Sequence, residues 1–243
     1  WLGVVLGSAL ISLVIAYIMY RSYKSAYDME QYRRTTSNAM AHDLKSPLAV
    51  ISLYAENLKS GKNPEKNQYY MDGILNEVKA MNEQVASILD MAKAEDVNTE
   101  LHKTKVDIGN IINTAADVYA ETIKTKNIGL DIQGSCQIEA DEALMYQAVM
   151  NMMDNAVKYV TKDGKITVQM SNERLSIQNT SEPIPEDVLK NIWNPFVKGD
   201  NSRHGHKGTG LGLSIVKTIM DRHGFTCEMK NADDGVEVKV DFR

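Results

Sequence analysis

The apolar positions of this chain follow different patterns in succession. Residues 1–20 carry no charged side chain. From Ala41 to Leu58, apolar residues recur every three or four positions, which is the spacing of one face of a helix. Beyond Leu101, short runs typical of strands alternate with runs of helical period. The chain is therefore predicted to begin with helices and to end with an α/β domain.

The uncharged segment over residues 1–20 is long enough to be a transmembrane helix, because such a helix rises about 30 Å. Arg21 and Lys24 follow it, which favours a cytoplasmic side for the rest of the chain and a location in the cell membrane. A signal peptide would carry its positive charges before the apolar run, and a buried core helix is the other alternative. Because the chain begins with Trp1, we expect it to be a fragment from which any preceding domain is missing.

The helical pattern predicts a hairpin over residues 37–97. The polar break at residues 60–64 separates a first helix from a second one over about residues 65–94. The second helix has two apolar tracks, one for the first helix and one for a partner chain. Since one hairpin has too little core, two hairpins are expected to pair into a dimeric four-helix bundle. If Ala41 and Leu44 line the seam, His42 faces water.

The remainder, residues 98–243, is predicted to be an α/β sandwich. The expected strands cover residues 130–133, 166–170, 175–178 and 236–242, and the expected helices cover residues 108–125, 142–159 and 212–222.

The composition argues against several classes of function and site. A net charge of −5 over 243 residues argues against a nucleic-acid partner, because such proteins usually present a basic face. Cys136 and Cys227 have neither the spacing of a metal site nor that of a disulfide framework.

The run HDLKSPL at residues 42–48 is the first candidate for chemistry. A neutral His42 is a good nucleophile, and the neighbouring Asp43 can orient it by accepting a proton from its other ring nitrogen. Ser46 lies one helical turn further on the same face. Pro47 lacks an N–H group, so a bend is expected beside His42.

Two further motifs follow in the second half. The run NMMDNAVKY at residues 151–159 places Asn151 and Asn155 one helical turn apart. The run GTGLGL at residues 208–213 alternates glycines and leads into a helix. Glycines let backbone amides approach phosphates closely, and a helix N-terminus favours anions.

The three motifs, in this order, resemble the H, N and G2 boxes of the sensor histidine kinases of bacterial two-component systems. The resemblance covers Thr35 to Arg243 and implies the ATP-binding fold shared with gyrase, Hsp90 and MutL. It also implies a membrane-bound homodimer that uses Mg²⁺ and ATP to phosphorylate His42. The phosphoryl group then passes to an aspartate of a response regulator, and Ser46 supports a weak phosphatase activity toward that regulator.

The resemblance also assigns roles to residues of the ATP site. Asn155 is expected to bind Mg²⁺ through its amide oxygen, and Lys158 to neutralise phosphate charge. Asn151 stands where related hydrolases carry a water-activating glutamate, so phosphoryl transfer is favoured over hydrolysis. Residues 192–196 resemble the F box, and residues 198–207 an ATP lid. The expected ATP-binding residues are Asn151, Asn155, Lys158, Tyr159, Asn179, Ile184, Lys198, Gly208, Thr209, Gly210, Leu211, Gly212 and Leu213.

The chain departs from the family pattern in two places. Asn179 stands where an aspartate normally accepts a hydrogen bond from adenine, and Ser181 and Pro183 replace glycines. A pseudokinase that binds nucleotide as a scaffold is therefore an alternative. The juxtamembrane segment over residues 21–36 is too short for the usual HAMP relay domain. The membrane helix is therefore expected to continue into the first helix of the bundle.

Overall fold

The computed structural model of the chain describes residues 2–96, 99–198 and 208–243, and for some positions before residue 34 it describes the backbone alone. The chain divides into two compact units, Trp1–Val78 and Lys79–Arg243. The helices are α1 (Leu2–Ser60), α2 (Asn67–Glu95), α3 (Ile108–Val118), α4 (Ala120–Thr125), α5 (Glu142–Tyr159), α6 (Glu186–Leu189) and α7 (Gly212–His223). The strands are β1 (Lys103–Asp107), β2 (Gly129–Gly134), β3 (Gln137–Asp141), β4 (Lys165–Ser171), β5 (Arg174–Thr180), β6 (Thr226–Ala232) and β7 (Gly235–Asp241).

Helix α1 is continuous from Leu2 to Ser60, as the short segment over residues 21–36 predicts, and Pro47 lies inside it. In the part of the chain that the structure describes, we find no helix with both the length and the apolar character needed to cross a membrane. The span predicted over residues 1–20 includes positions whose side chains lie outside that part.

Helices α1 and α2 form a helical hairpin, as predicted. Helix α1 ends at Ser60, a short 3₁₀ turn covers Pro64–Lys66, and α2 follows. The ring of Tyr54 packs against the rings of Tyr69 and Tyr70, with centroids 5.8 and 5.7 Å away. A stripe of apolar side chains nevertheless stays exposed on the two helices, comprising Leu48, Leu53, Met71, Leu75 and Val78.

The second unit contains a five-stranded sheet in the order β2-β4-β5-β7-β6. Strands β2 and β4 are parallel, and the other neighbours are antiparallel. Strands β1 and β3 form a separate antiparallel pair. The four strands predicted from apolar runs are confirmed as β2, β4, β5 and β7. Strands β1, β3 and β6 were not among the predicted apolar runs, because charged and polar residues interrupt them.

Helix α5 packs on β5 and lies between α3 and α7. The prediction of a single helix over residues 108–125 is wrong, since α3 ends at Val118 and α4 begins at Ala120. Tyr119 lies between them with φ −95° and ψ 6°, outside helical geometry. Its hydroxyl donates a hydrogen bond to Asp154 of α5 at 3.2 Å, so the interruption ties these helices to α5.

His223 fixes the end of α7 to the start of α5. Its buried ring accepts a hydrogen bond from the backbone N–H of Asp141 at Nε2, 3.0 Å away. Its Nδ1–H donates to the carbonyl of Ile219 at 2.8 Å. Burial lowers the pKa of His223, so the neutral form that this pairing requires is favoured. The helix that follows the glycine run is thereby held against α5.

Candidate functional site

The first part of the candidate site lies along helix α5, at the half-buried border between its buried face and solvent, which we call its rim. The carboxylate of Asp141 caps the helix by accepting a hydrogen bond from the backbone N–H of Leu144. The face toward the sheet is apolar and buried, whereas Asn151, Asn155 and Lys158 are only half-buried. The helical period therefore places these three polar side chains at one edge of the core.

The glycine run passes directly along this edge. A methyl group at Gly212 would lie 2.9 Å from Oδ1 of Asn151, so the start of α7 contacts the middle of α5. A methyl group at Gly208 would collide with Nζ of Lys158 and lie 3.7 Å from the hydroxyl of Tyr159. The structure thus brings together two motifs that lie far apart in sequence.

Gly210 is the position where the run requires glycine. Its φ of +71° lies in the left-handed region, and a methyl group there would lie 2.8 Å from Cα of Phe196. The carbonyl of Gly210 accepts a hydrogen bond from the N–H of Phe196 at 2.8 Å. The segment over residues 192–196 therefore packs against the glycine turn and is hydrogen-bonded to it.

The same turn places the N-terminus of α7 at the site. Helix α7 begins at Gly212, and the hydroxyl of Thr209 accepts a hydrogen bond from the N–H of Leu211. The first amides of a helix have no partner within the helix and carry partial positive charge. Leu213 follows in the first turn, and Leu211, just before the helix, is buried. This arrangement suits an anion such as a phosphate.

Two lysines add positive charge to the edge. Burial lowers the pKa of Lys158, and the positive charge of Lys198 lowers it further, while Asp154 and Glu83 oppose the shift. The ammonium group also lies 5.2 Å from the centre of the Tyr159 ring. A bound phosphate would relieve the repulsion between the two lysines, so their proximity favours an anionic ligand.

Asn179 lies on β5 and is only 8% exposed. The segment that follows it is held by Asn231 of β6, a residue that no motif indicated. The side chain of Asn231 accepts a hydrogen bond from the N–H of Ile184 at 2.8 Å and donates one to the carbonyl of Ile184 at 2.9 Å. Such a pairing between distant segments has no local signature, so the sequence alone did not indicate it.

The candidate phosphoacceptor lies in the first unit. The side chain of His42 is 83% exposed, and its Nδ1 is 3.4 Å from Oδ1 of Asp43. Ser46 is also exposed, one turn along α1. The prediction that His42 faces water beside Asp43 is confirmed. Of the proposed lid, Lys198 is described, whereas residues 199–207 lie outside the described residues.

Two family models match the chain. HisKA, the His Kinase A (phospho-acceptor) domain, matches residues 32–97. HATPase_c, described as the histidine kinase-, DNA gyrase B- and HSP90-like ATPase, matches residues 140–243. The first match contains His42, and the second contains the asparagine and glycine motifs.

Similar proteins include the sensor protein RprX of Bacteroides fragilis, which is 30% identical over 85% of this chain and 42% of its own length. The adaptive-response sensory kinase SasA of Crocosphaera subtropica is 29% identical over 76% of this chain and 52% of its own. Among solved structures, histidine kinase ThkA in complex with response regulator protein TrrA has a TM-score of 0.63 and 27% identity, covering 83% of this chain and 58% of that one. The chain thus spans about half or less of the length of these curated relatives.

Proposed function

Because the chain belongs to the histidine kinase family, with a phosphoacceptor domain followed by an ATPase domain, we propose that it uses ATP to phosphorylate its own His42. The phosphoryl group then passes to an aspartate of a response regulator. The observation that carries the proposal is the contact of the glycine turn with Asn151 and Lys158, because such an arrangement suits the phosphates of ATP.

The chemistry of His42 follows from its surroundings. Asp43 faces Nδ1, which leaves Nε2 free to attack the γ-phosphorus of ATP. A bond forms between nitrogen and phosphorus, and the bond from phosphorus to the ADP oxygen breaks. Asp43 stabilises the positive charge that develops on the ring by accepting a hydrogen bond from Nδ1–H.

Incubation of the chain with γ-labelled ATP tests this function. The expected product is protein-bound label that is stable to base and labile to acid. Nucleotide binding without any such label would instead favour the scaffold alternative. Free phosphate as the main product would favour a hydrolase.

Asn155 is proposed to hold the Mg²⁺ ion that accompanies ATP, since its half-buried amide lies on the rim of α5 beside Asn151 and an amide oxygen is a suitable ligand. The bound ion would neutralise phosphate charge. We expect Asn155→Asp to weaken ATP binding about tenfold or more. The added carboxylate and the phosphates of ATP are both negative, and two such charges a few ångström apart near a surface repel by roughly 1–4 kcal/mol.

Calorimetric titration with ATP, with and without Mg²⁺, measures this effect. Asn113→Asp, at an exposed position of α3, is the matched control for an added charge and should bind ATP as the wild type does. Equal ATP affinity of Asn155→Asp and wild type in Mg²⁺ would contradict the assignment.

Ser46 is proposed to position the water that hydrolyses the phosphorylated regulator. Its exposed hydroxyl lies one turn from His42, but serine lacks the methyl group that restricts the rotamer of threonine. Ser46→Ala should therefore remove dephosphorylation while His42 is still phosphorylated, and Ser46→Thr should raise it. Loss of phosphate from the regulator, followed with ADP present, decides this; equal rates for Ser46→Ala and wild type would exclude the role.

A homodimer is proposed because the hairpin leaves an apolar stripe uncovered. Leu75 is 67% exposed, and Leu48 is 54% exposed. Burying such a stripe against a second copy would complete a four-helix bundle. Sedimentation equilibrium measures the association, and a monomer at all concentrations would exclude it.

Attachment to the cell membrane through residues 1–20 is also proposed, with the catalytic part in the cytoplasm. Support comes from the uncharged sequence and the positive residues directly after it. The chain should remain with membranes after alkaline washing, and removal of residues 1–20 should release it. Release of the intact chain by the wash would contradict the proposal.

A further inference from the structure

The last turn of helix α5 lacks its usual hydrogen-bond donors. The helix ends before Val160, whose backbone is extended, with φ −60° and ψ 137°. In a continuing helix, the N–H of Thr161 would donate to the carbonyl of Val157. It donates instead to the carbonyl of Thr180 on β5, 2.9 Å away. The carbonyls of Val157 and Lys158 therefore need partners from outside the helix.

Lys126, at the end of α4, supplies a partner to both carbonyls. Its Nζ donates to the carbonyl of Val157 at 2.9 Å and to that of Lys158 at 3.3 Å. The side chain of Lys126 is half-buried, and a cation beside the C-terminus of a helix also interacts favourably with the helix dipole. One side chain from a distant segment thus closes the last turn of α5.

The backbone of Lys126 is itself held by its neighbours. Its N–H donates to the carbonyl of Thr122 in α4 at 2.9 Å, and its carbonyl accepts a hydrogen bond from the N–H of Asp163 at 3.1 Å. The side chain of Asn127 also donates to the carboxylate of Asp163, 2.9 Å away. The loop that follows α5 is therefore bound to the end of α4, and the ammonium group of Lys126 extends from a fixed backbone.

The turn that Lys126 closes is the one that meets the glycine run. A methyl group at Gly208 would collide with Nζ of Lys158 and lie 3.7 Å from the hydroxyl of Tyr159. The two carbonyls that Lys126 binds belong to the peptide groups on either side of the Lys158 Cα. Because the interaction of two charges depends on their separation, the attraction of Lys158 for a phosphate depends on how these peptide groups are held.

We propose that Lys126 is a positioning residue for phosphate binding, which deepens the proposed ATP-binding function and rests on it. Lys126 acts through Lys158. By holding the peptide groups on both sides of Lys158, it fixes the place where the ammonium group of Lys158 meets the phosphates of ATP. The ammonium group of Lys126 faces the carbonyls at the end of α5 and does not bind the nucleotide itself.

The first test compares ATP with adenosine, which has no phosphate, on Lys126→Met and on the wild-type chain. Methionine keeps an unbranched side chain of similar length but has neither the charge nor the N–H donors. Calorimetric titration measures ATP, and adenosine is measured by its competition with ATP. We expect the ratio of ATP affinity to adenosine affinity to fall about fivefold or more, which corresponds to roughly 1 kcal/mol. A wild-type ratio in Lys126→Met would overturn the proposal.

Two further variants accompany this test. Lys124→Met is the matched control, because Lys124 is exposed on α4 and its replacement removes the same charge two positions away. It should keep the wild-type ratio, and an equal fall in both variants would overturn the proposal by showing a general effect of charge. If Lys126→Met does not fold, Lys126→Gln takes its place, since its shorter side chain cannot reach both carbonyls. It should also lower the ratio, and a wild-type ratio would overturn the proposal.

A double-mutant cycle with Lys158→Met decides whether Lys126 acts through Lys158. Once the ammonium group of Lys158 is gone, Lys126→Met should cause no further fall in the ratio of ATP affinity to adenosine affinity. A further fall as large as that in the wild-type background would overturn the proposal. Failure of the wild-type chain to bind ATP, or equal wild-type affinities for ATP and adenosine, would instead contradict the proposed function.

Discussion

Replacing His42 by Gln is expected to abolish the acid-labile, base-stable label completely. Glutamine keeps a polar side chain on the exposed face of α1 but has no nucleophilic nitrogen. Because the His42 side chain is 83% exposed, its replacement should disturb neither the fold nor ATP binding. Labelling with γ-labelled ATP, alongside calorimetric ATP binding, measures both properties.

His102→Gln is the matched control for this substitution. His102 is likewise exposed, and its backbone N–H donates a hydrogen bond to Asp141. This variant should label as the wild type does. Base-stable, acid-labile label that persisted in His42→Gln would place the phosphoacceptor elsewhere.

Replacing Gly210 by Ala is expected to reduce ATP affinity and the rate of autophosphorylation by about tenfold or more. An L-residue in the left-handed region costs roughly 1–2 kcal/mol, and here the methyl group would also press on the backbone of Phe196. The turn must then shift and carry the N-terminus of α7 away from its place beside α5. Calorimetric titration with ATP measures the loss.

Gly224→Ala is the matched control, because it adds the same backbone strain without displacing the glycine turn at Gly210. Gly224 has a φ of +76° at the other end of α7, but a methyl group there would meet nothing within 4 Å. This variant should lose roughly 1–2 kcal/mol in the free energy of unfolding and keep its ATP affinity within about twofold. Similar ATP affinities for the Gly210 and Gly224 variants would show that the turn does not form the site.

Elements with a strong local pattern could be predicted from the sequence. Helix α5 covers Glu142–Tyr159, as its helical period indicated, because a long amphipathic helix repeats its signal over several turns. Strands β4, β5 and β7 were found because their apolar residues pack on a buried face. The interruption at Tyr119 was not found, because neither glycine nor proline marks it in the sequence.

Some features of the candidate site could likewise be predicted from local sequence patterns, and others could not. The exposure of His42 follows from the spacing of its apolar neighbours, and the rim position of Asn151 and Asn155 follows from the helical turn. The pairing of Asn231 with Ile184 joins residues 47 positions apart, so no local pattern reports it. The hydrogen bonds from Lys126 to the end of α5 likewise join residues 31 and 32 positions apart.

The sequence by itself therefore determined the order of the parts, a helical hairpin with a histidine on its surface and then an α/β domain with asparagine and glycine motifs. Each of these properties depends on residues within a few turns or one strand of each other. Only the tertiary structure decided that Gly212 meets Asn151 and that Lys158 meets Gly208. Those contacts depend on how α5 and α7 pack together, and packing is set by all the buried side chains at once.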